Sequence, residues 1–425
     1  MPAWPFRGAT LNDNREADVL VVGAGVAGLA TAQAIVRRTP LNVVVVDRGT
    51  VGSGASGNSA GHLASGYEIG YSTIARAGGR QAAAHARAAS LHGRLAFDNI
   101  LQEWGVRCDY QDARSFVAYE SPEQLSREGA ADAELFPDDL RGARYFLTVQ
   151  HLDRRASEFP VEVARLNAAD YHGTFLSHFP AAGVREGPRT GLVDARAFCH
   201  SLANAMVQRC ADRVTIYEHS PFQGFVEEDG VYRCRVRTRH IRARHLVFAT
   251  NGYPPAADPH TLSCCVRPSL HCLLGFVIPP VHEPHAFGWY SSEASGELFY
   301  GNVRKWRGGR HLLVLGGPDH LEFPVSSLRA TAFRAAAYRR LLDFAHATGV
   351  VPVNAHADHN WCGVLGYVKD GLRVIARDPR YANVFHNTAC NGVGLLLSCY
   401  GAERVSMLIE GAPDDALFGK RSRDG

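Results

Sequence analysis

The sequence predicts an α/β protein in which a Rossmann-like domain is joined to a second, α+β domain built on an antiparallel sheet. Three observations predict it. Residues 17–47 read as strand, glycine turn, helix, strand and acid. Strand-like runs return to that pattern at Val214–Glu218 and His245–Gly252 after a long excursion, and the chain closes on a second glycine-rich turn, Asn387–Gly394, that feeds a helix. With 425 residues the chain exceeds the roughly 250–300 at which single cores stop growing, so two domains are expected.

In the first of these stretches the apolar run Val19–Val22 leads into Gly23, Ala24, Gly25, Val26, Ala27 and Gly28, after which Leu29, Ala30, Ala34 and Ile35 fall at helical spacing. Gly23 allows the tight turn, Gly25 lets a pyrophosphate approach the backbone, and Gly28 lets the helix press on the sheet. The N–H groups of the first helical turn, at Val26 and Ala27, then face the phosphates. A second apolar run, Val43–Val46, ends in Asp47, nineteen residues past Gly28 (47 − 28), where a carboxylate accepts hydrogen bonds from both hydroxyls of an adenosine ribose. It would repel a 2′-phosphate. The ligand is an adenine dinucleotide; NAD and FAD both remain open at this point.

The next stretch, Arg48–Gly66, is dominated by glycine, serine and alanine, with Ser56, Gly61, His62 and Leu63 placed to let a flat ring or a diphosphate pass close to the main chain. A disordered linker would have the same composition. Tyr71–Trp104 has helical periodicity without proline and is expected as one or two helices crossing away from the nucleotide domain. Ser115–Tyr119 reads as a strand and Ser121 as the cap of a helix, while 138–189 carries no clear pattern. Asp194 caps a helix from Ala195 to Gln208, followed by the strand Val214–Glu218 and a meander, Phe222–Glu227 and Val231–Val236. Phe222 opens the meander as a further ligand contact. The run His245–Gly252 returns to the sheet, with the small residues Ala249 and Thr250 at its carboxyl end, the side on which open α/β sheets bind ligands. A second excursion, Arg267–Trp361, holds strand-like runs at Cys272–Ile278, Glu297–Tyr300 and His311–Leu315 and a helix at Ser327–Ala347. Strands at Asp370–Ala376 and Asn383–His386 then precede the closing turn and a helix to Ile409. The expected division is 14–75, 190–265 and 362–425 for the first domain, and 76–189 and 266–361 for the second.

Composition excludes several classes. A formal charge of +3 and a pI of about 8.3 are too mild for a nucleic-acid partner. Only Lys305, Lys369 and Lys420 are lysines, which confines lysine chemistry to three positions. No apolar run is long enough for a signal peptide or a membrane span, so a cytoplasmic protein without a membrane partner is expected. Ten cysteines are scattered without metal-ligand spacing, which suggests neither a metal site nor a disulfide framework.

Six stretches, taken in order, resemble the FAD-dependent amino-acid and amine oxidases, the family that includes D-amino-acid oxidase, glycine oxidase, sarcosine oxidase and γ-glutamylputrescine oxidase. They are the glycine triplet with Asp47, Ala55–His62 (ASGNSAGH), Gly191–Asp194 (GLVD), Ala249–Tyr253 (ATNGY), Trp361–Gly371, and Asn391–Gly394 (NGVG). The resemblance covers nearly the whole chain. It implies that the loop after Asp47 runs along an FAD diphosphate to the isoalloxazine, and that the closing helix points its N-terminus at the pyrimidine side of the ring. Reduced flavin carries negative charge near N1 and O2, which N–H groups at Gly392, Val393 and Gly394 can stabilise, with Asn391 beside them as a further cofactor contact. FAD is therefore implied rather than NAD.

The reaction the resemblance implies is hydride transfer from the carbon beside a neutral amine to flavin N5, giving an imine that water hydrolyses, with oxygen as acceptor and hydrogen peroxide released. The substrate, an amine or amino acid, would lie between the flavin and the second domain. His62, Tyr290, Tyr300 and Arg304 are the candidates to touch it, an Arg–Tyr pair often gripping a carboxylate in relatives. Each of the four is also compatible with an ordinary sheet or backbone-bonded role. Asn251 and Tyr253 are placed to close the site. Three departures stand out: no lysine lies on His311–Leu315, where some relatives activate oxygen; Thr388-Ala389-Cys390 replaces a glycine before the last helix; and Cys362, eight residues before Asp370, is where covalent flavin attachment would fall. The alternatives are a dehydrogenase with another acceptor, an aromatic hydroxylase or halogenase, whose late Gly-Asp pair is missing from Val374–Pro379, and a catalytically silent flavoprotein. Oligomeric state has no signature in the sequence.

Overall fold

The computed structural model describes residues 5–121, 123–125, 144–147, 163–165, 183–253, 265–280, 283–290, 298–317, 331–347 and 351–419, with 135 and 349. The opening unit forms as expected: β1 (Arg15–Val22), α1 (Val26–Arg38) and β2 (Val43–Val46), with β1 and β2 parallel from Val19↔Val43 to Val22↔Val46. Then come α2 (Gly70–Trp104), β3 (Gln111–Tyr119), β4 (Arg144–Leu147), β5 (Val163–Arg165), β6 (Gly183–Leu192), α3 (Ala195–Arg209), β7 (Val214–Tyr217), β8 (Phe222–Glu228), β9 (Val231–Val236) and β10 (Arg239–Phe248). The remainder is β11 (Arg267–Ile278), β12 (His285–Tyr290), β13 (Leu298–Lys305), β14 (His311–Gly316), α4 (Thr331–Ala347), β15 (His359–Tyr367), β16 (Val374–Arg377), β17 (Val384–Thr388) and α5 (Leu395–Ile409).

The first sheet has the order β16-β17-β10-β1-β2-β7, with the β8–β9 hairpin added antiparallel to β10. Strands β7, β2, β1, β10 and β17 are parallel, so chain order reverses between β1 and β10. A ligand crevice opens at such a reversal. Gly23 leaves β1 there with φ 110°, and a Cβ on it would lie 2.7 Å from the Ala249 carbonyl oxygen that follows β10. Only glycine fits. Gly28 is also obligatory, because a Cβ there would overlap the Gly23 carbonyl, which is the close helix packing the spacing predicts.

The second sheet runs β15-β11-β14-β13-β12-β3-β6-β4-β5 and is antiparallel except for the pairs β12–β3 and β4–β5. Strand alternation divides its two faces. Along β11, Leu270, Cys272, Leu274 and Phe276 pack toward α4, in one core with Leu341 and Phe344. His271 and Leu273 face the other way, into a cavity.

The structure differs from expectation in several places. β15 pairs with β11 in the second sheet, so the expected boundary at 362 falls inside a strand. α2, expected to cross away, packs Ala86, Ala89, Phe97 and Ile100 into the core that holds α1 and α5. It is interrupted at Gly79 (φ 81°, ψ 172°). β4, β5, β6, β12 and β15 are strands without a prediction. Of the helix expected after Ser121, residues 126–134 lie outside the described residues, as do Glu297 and Ser327.

Candidate active site

One cavity of about 2000 Å³ reaches from the carboxyl ends of β1, β2 and β10 to the inner face of the second sheet. It is lined at one end by Gly23, Gly25, Val26, Ala27 and Asp47, and by Gly392, Val393 and Gly394 where α5 opens. Of the other candidates, Arg48, Ser56, Gly61, His62, Phe222, Ala249, Thr250 and Tyr300 also line it. A single nucleotide-sized ligand occupies roughly 300–1,000 Å³, so the space admits a dinucleotide with a substrate beside it.

The residues present fit an adenine dinucleotide. Asp47 Oδ2 accepts from Ala24 N–H and Oδ1 from Gly49 N–H, both at 2.8 Å, so the turn aims the carboxylate and leaves a second lone pair on each oxygen. Burial pushes the Asp47 carboxyl up from its ordinary range, and those two N–H groups pull against that rise. Both α1 and α5 begin on a glycine with no side-chain cap and no acid in the first turn. Ser56 Oγ accepts from Val26 N–H at 3.0 Å and lies 2.8 Å from where a Gly25 Cβ would sit, so Gly25 makes room for the loop as well as for a ligand. Thr250 Oγ1 is buried without a hydrogen-bond partner in the protein and belongs to a residue of the cavity wall.

His62 is held on both sides. Asn302 Nδ2 donates to its Nε2 at 2.8 Å, and Tyr300 meets its ring edge-on with centroids 6.2 Å apart. Burial, reinforced by the Arg304 charge and opposed by a hydrogen bond with the Gly301 backbone, pushes the imidazole down to about 3, so it is neutral at physiological pH. The positive φ of Gly61 (74°) brings the loop against Val193, where Gly61 and Val193 hydrogen-bond through their backbones.

Several predicted roles are corrected by the geometry. Arg304 does not reach the cavity: Nε donates to Asn302 Oδ1 (2.9 Å), Nη1 to Val193 O (3.1 Å) and Nη2 to Ala60 O. It braces the loop beneath His62 and has no fork left for a carboxylate. Burial pushes it down to about 10, which still leaves it charged. Cys362 falls on the α4 face of β15, opposite Cys272, while Gly363 and Leu365 face the cavity, so its thiol points away from any flavin there. Leu63 is a core residue, Asn391 turns its Oδ1 to Val368 N–H (2.9 Å), and Gly28 sits behind the turn; none lines the cavity. Lys305 and Lys369 are exposed and outside the lining, and Lys420 lies outside the described residues. The Tyr290 side chain does too; its backbone pairs with Leu298. Asn251 (φ 50°) knits the site: Oδ1 accepts from Cys390 N–H (2.9 Å) and Nδ2 donates to Val364 O (3.3 Å). Arg48 stacks over Tyr253 at 3.9 Å.

Three residues with no sequence prediction, Glu68, His271 and Arg373, complete the wall, with Tyr367 behind them. Glu68 accepts from the Tyr367 hydroxyl at Oε2 (3.1 Å), and the same hydroxyl lies 3.4 Å from His271 Nε2. Arg373 is 2% exposed, donates from Nε to Asn387 Oδ1 (2.7 Å) and from Nη2 to Asn387 O (3.1 Å), and is pushed down to about 10 by burial. Glu68 carried one available signal: it is the only Asp or Glu between Asp47 and Asp98.

A glycine turn at a strand-order reversal, a ribose-directed carboxylate and a second uncapped helix opening on the same cavity define a dinucleotide-dependent oxidoreductase. The DAO family model, FAD dependent oxidoreductase, matches residues 18–408, and the chain belongs to that family; its cofactor is FAD. Among curated proteins it is 25% identical over 256 residues to Probable oxidoreductase OrdL of Haemophilus influenzae, covering 58% of this chain and 52% of that protein. It is 30% identical over 109 residues to the gamma-glutamylputrescine oxidoreductase of Escherichia coli, 26% of this chain and 25% of that one. The matched stretches thus span about half of the first relative and a quarter of the second. Glycine oxidase from Geobacillus kaustophilus shares the fold with a TM-score of 0.69 at 19% identity, covering 95% and 98% of the two chains. L-amino acid deaminase from Proteus vulgaris does so at 0.67 and 17%, covering 99% and 97%.

Proposed function

We propose that the protein oxidises the C–N bond of an amine or amino acid. The observation that carries the reading is that one cavity is lined at once by the Gly23–Gly25 turn, by Asp47 and by the Gly392–Gly394 turn. The names of the relatives, an amine oxidoreductase, a glycine oxidase and an amino acid deaminase, support the C–N bond as the target. FAD, when bound, supplies the hydride acceptor. The chain's own residues bind and orient. Asp47 and the opening of α1 would hold the ribose and diphosphate, and Thr250 Oγ1 offers an unused hydrogen bond. The N–H groups that open α5 favour negative charge at their end of the cavity. His62, neutral and fixed by Asn302, forms wall rather than base. Since Arg304 is spent on the backbone, a substrate carboxylate would meet the arginines of the cavity wall, Arg76, Arg80 and Arg87 on α2 and Arg185 on β6. A cytoplasmic location agrees with nine described cysteines that are all free thiols.

Anaerobic mixing of holoprotein with glycine, other L- and D-amino acids and γ-glutamylputrescine tests the reading. Bleaching of the flavin by an amine without NADPH supports it; bleaching that requires NADPH points to a hydroxylase, and an inert flavin to a silent binder. A second reading, a dehydrogenase that passes electrons to an acceptor other than oxygen, is favoured by the lack of any lysine among the described cavity-lining residues. Reoxidation by a quinone much faster than by oxygen would establish it.

A further inference from the structure

An amine is oxidised by hydride loss only when its nitrogen carries a lone pair, yet most aliphatic amines reach an enzyme as ammonium ions at neutral pH. The described cavity wall holds two carboxylates, Asp47 and Glu68. Asp47 is aimed by Ala24 and Gly49 at the adenosine end. Glu68 sits beside the turn that opens α5, packed on Gly392, where a Cβ would overlap its Oε2. Behind it the Tyr367 hydroxyl joins Glu68 Oε2 (3.1 Å) to His271 Nε2 (3.4 Å), and the His271 and Tyr367 rings stack at 5.8 Å and 14°. Glu68 and His271 both face the cavity, whereas Tyr367 lies behind the lining. Three elements therefore build one hydrogen-bonded chain that starts and ends on the same cavity: the loop before α2, β15 and β11.

We propose that Glu68 receives the ammonium group of the substrate and takes its proton, which passes through the Tyr367 hydroxyl to His271. This rests on the amine reading above and adds a substrate class to it, a protonated amine held by a carboxylate. An ammonium N–H bond breaks, its electron pair stays on nitrogen, and an O–H bond forms on Glu68. Once Oε2 carries the proton, the Tyr367 hydroxyl that had donated to it turns toward His271; the carboxyl proton moves to Oη as the hydroxyl proton moves to Nε2, which accepts it in the tautomer protonated on Nδ1. The sum is one proton lost by the ammonium and one gained by the imidazole, with no change of oxidation state. Other titratable and charged groups of the same wall are Tyr67 beside Glu68, Tyr71, Arg76, Arg80 and Arg87 on α2, Cys390 before the Gly392 turn, and Arg373 before β16. Asp47, held by the Ala24 and Gly49 N–H groups, takes no part.

The test is the pH dependence of anaerobic flavin reduction, using whichever amine of the panel bleaches the wild-type flavin fastest. E68Q is expected to reduce on the order of 100-fold more slowly at pH 7 and to approach the wild-type rate where the amine is neutral in solution. E68D should recover part of the neutral-pH rate. A loss by the same factor at every pH, or an unchanged profile, overturns the proposal. If E68Q does not retain FAD, Y367F and H271Q, which keep the carboxylate, are read instead. Each should move the acidic limb of the profile to higher pH, and unmoved limbs in both overturn it. If no amine reduces the wild-type flavin, the amine reading itself has failed and takes this proposal with it; if amines do and the limbs stay put, only the Glu68 route is lost.

Discussion

Replacing Gly23 by alanine should be among the most damaging single-methyl changes in the chain. The residue has φ 110°, a conformation that costs a side chain roughly 1–3 kcal/mol. The new Cβ would also lie 2.7 Å from Ala249 O and 3.1 Å from Ala249 C, backbone atoms of the residue just past β10, whose N–H donates to Val22 O, so relief requires prying the ends of β1 and β10 apart. Such overpacking costs typically about 1–3 kcal/mol. Reduced freedom of the unfolded chain returns only about 0.4–1 kcal/mol. The balance is a loss near 3 kcal/mol, or roughly 3–4 °C in melting temperature for 425 residues unfolding together. Because the strain falls at the crevice, the purified variant should also lose visible flavin absorbance. Gly54 provides the control: it lines the same cavity, has no positive φ, and an added Cβ meets nothing within 4 Å, so G54A should melt at or slightly above wild type. Thermal scans and absorbance spectra of both variants decide the matter. A G23A protein that keeps its flavin and melts with wild type would refute the steric argument.

Asp47→Asn turns one acceptor oxygen into a donor facing an N–H group 2.8 Å away, and loss of about 1.5–3 kcal/mol should weaken FAD binding roughly 10- to 100-fold in a fluorescence titration. Acid precipitation of the holoprotein should leave a colourless pellet and yellow supernatant, because Cys362 faces α4; a yellow pellet that C362S abolishes would reverse that assignment. His62 links stability to pH. Its imidazole is pushed to about 3 in the folded protein against an ordinary 6.5, so the unfolded chain binds a proton that the folded one refuses, and stability falls as pH drops from 6.5 toward 3. At pH 4.5 the loss from this residue is about 2–3 kcal/mol. Urea titrations of wild type and H62Q at pH 7 and 4.5 should converge on acidification, and parallel behaviour would show that His62 carries no such linkage.

What could be read from the residues was whatever depends on short-range pattern. Val19–Val22, the Gly23–Gly28 turn and Asp47 lie within 29 residues and signal one another, and Asp194 does cap α3, its Oδ1 accepting from Ala197 N–H at 2.9 Å. The second sheet was harder because its strands hide their alternation. β11 reads RPSLHCLLGFVI, apolar on both faces, since α4 covers one and the cavity borders the other. Without a polar face, periodicity gives no sign of which side His271 or Cys362 takes. Arg304 was misread for a related reason: its acceptors at Ala60 and Val193 are 244 and 111 residues away in the chain, and only folding brings those carbonyls together. Glu68 and Tyr367 meet across 299 residues in the same way.

The order of strands carries one more consequence. β1 and β2 belong to the first sheet, β3–β6 to the second, β7–β10 to the first, β11–β15 to the second, and β16–β17 to the first. The polypeptide therefore stitches the two layers together four times. Four tethers leave little room for a clamshell motion, so substrate traffic falls to local rearrangement of individual connections. Neither layer corresponds to a continuous stretch that could be cut out and expressed alone, and the crevice draws its walls from segments as far apart in the chain as Gly23 and Gly394.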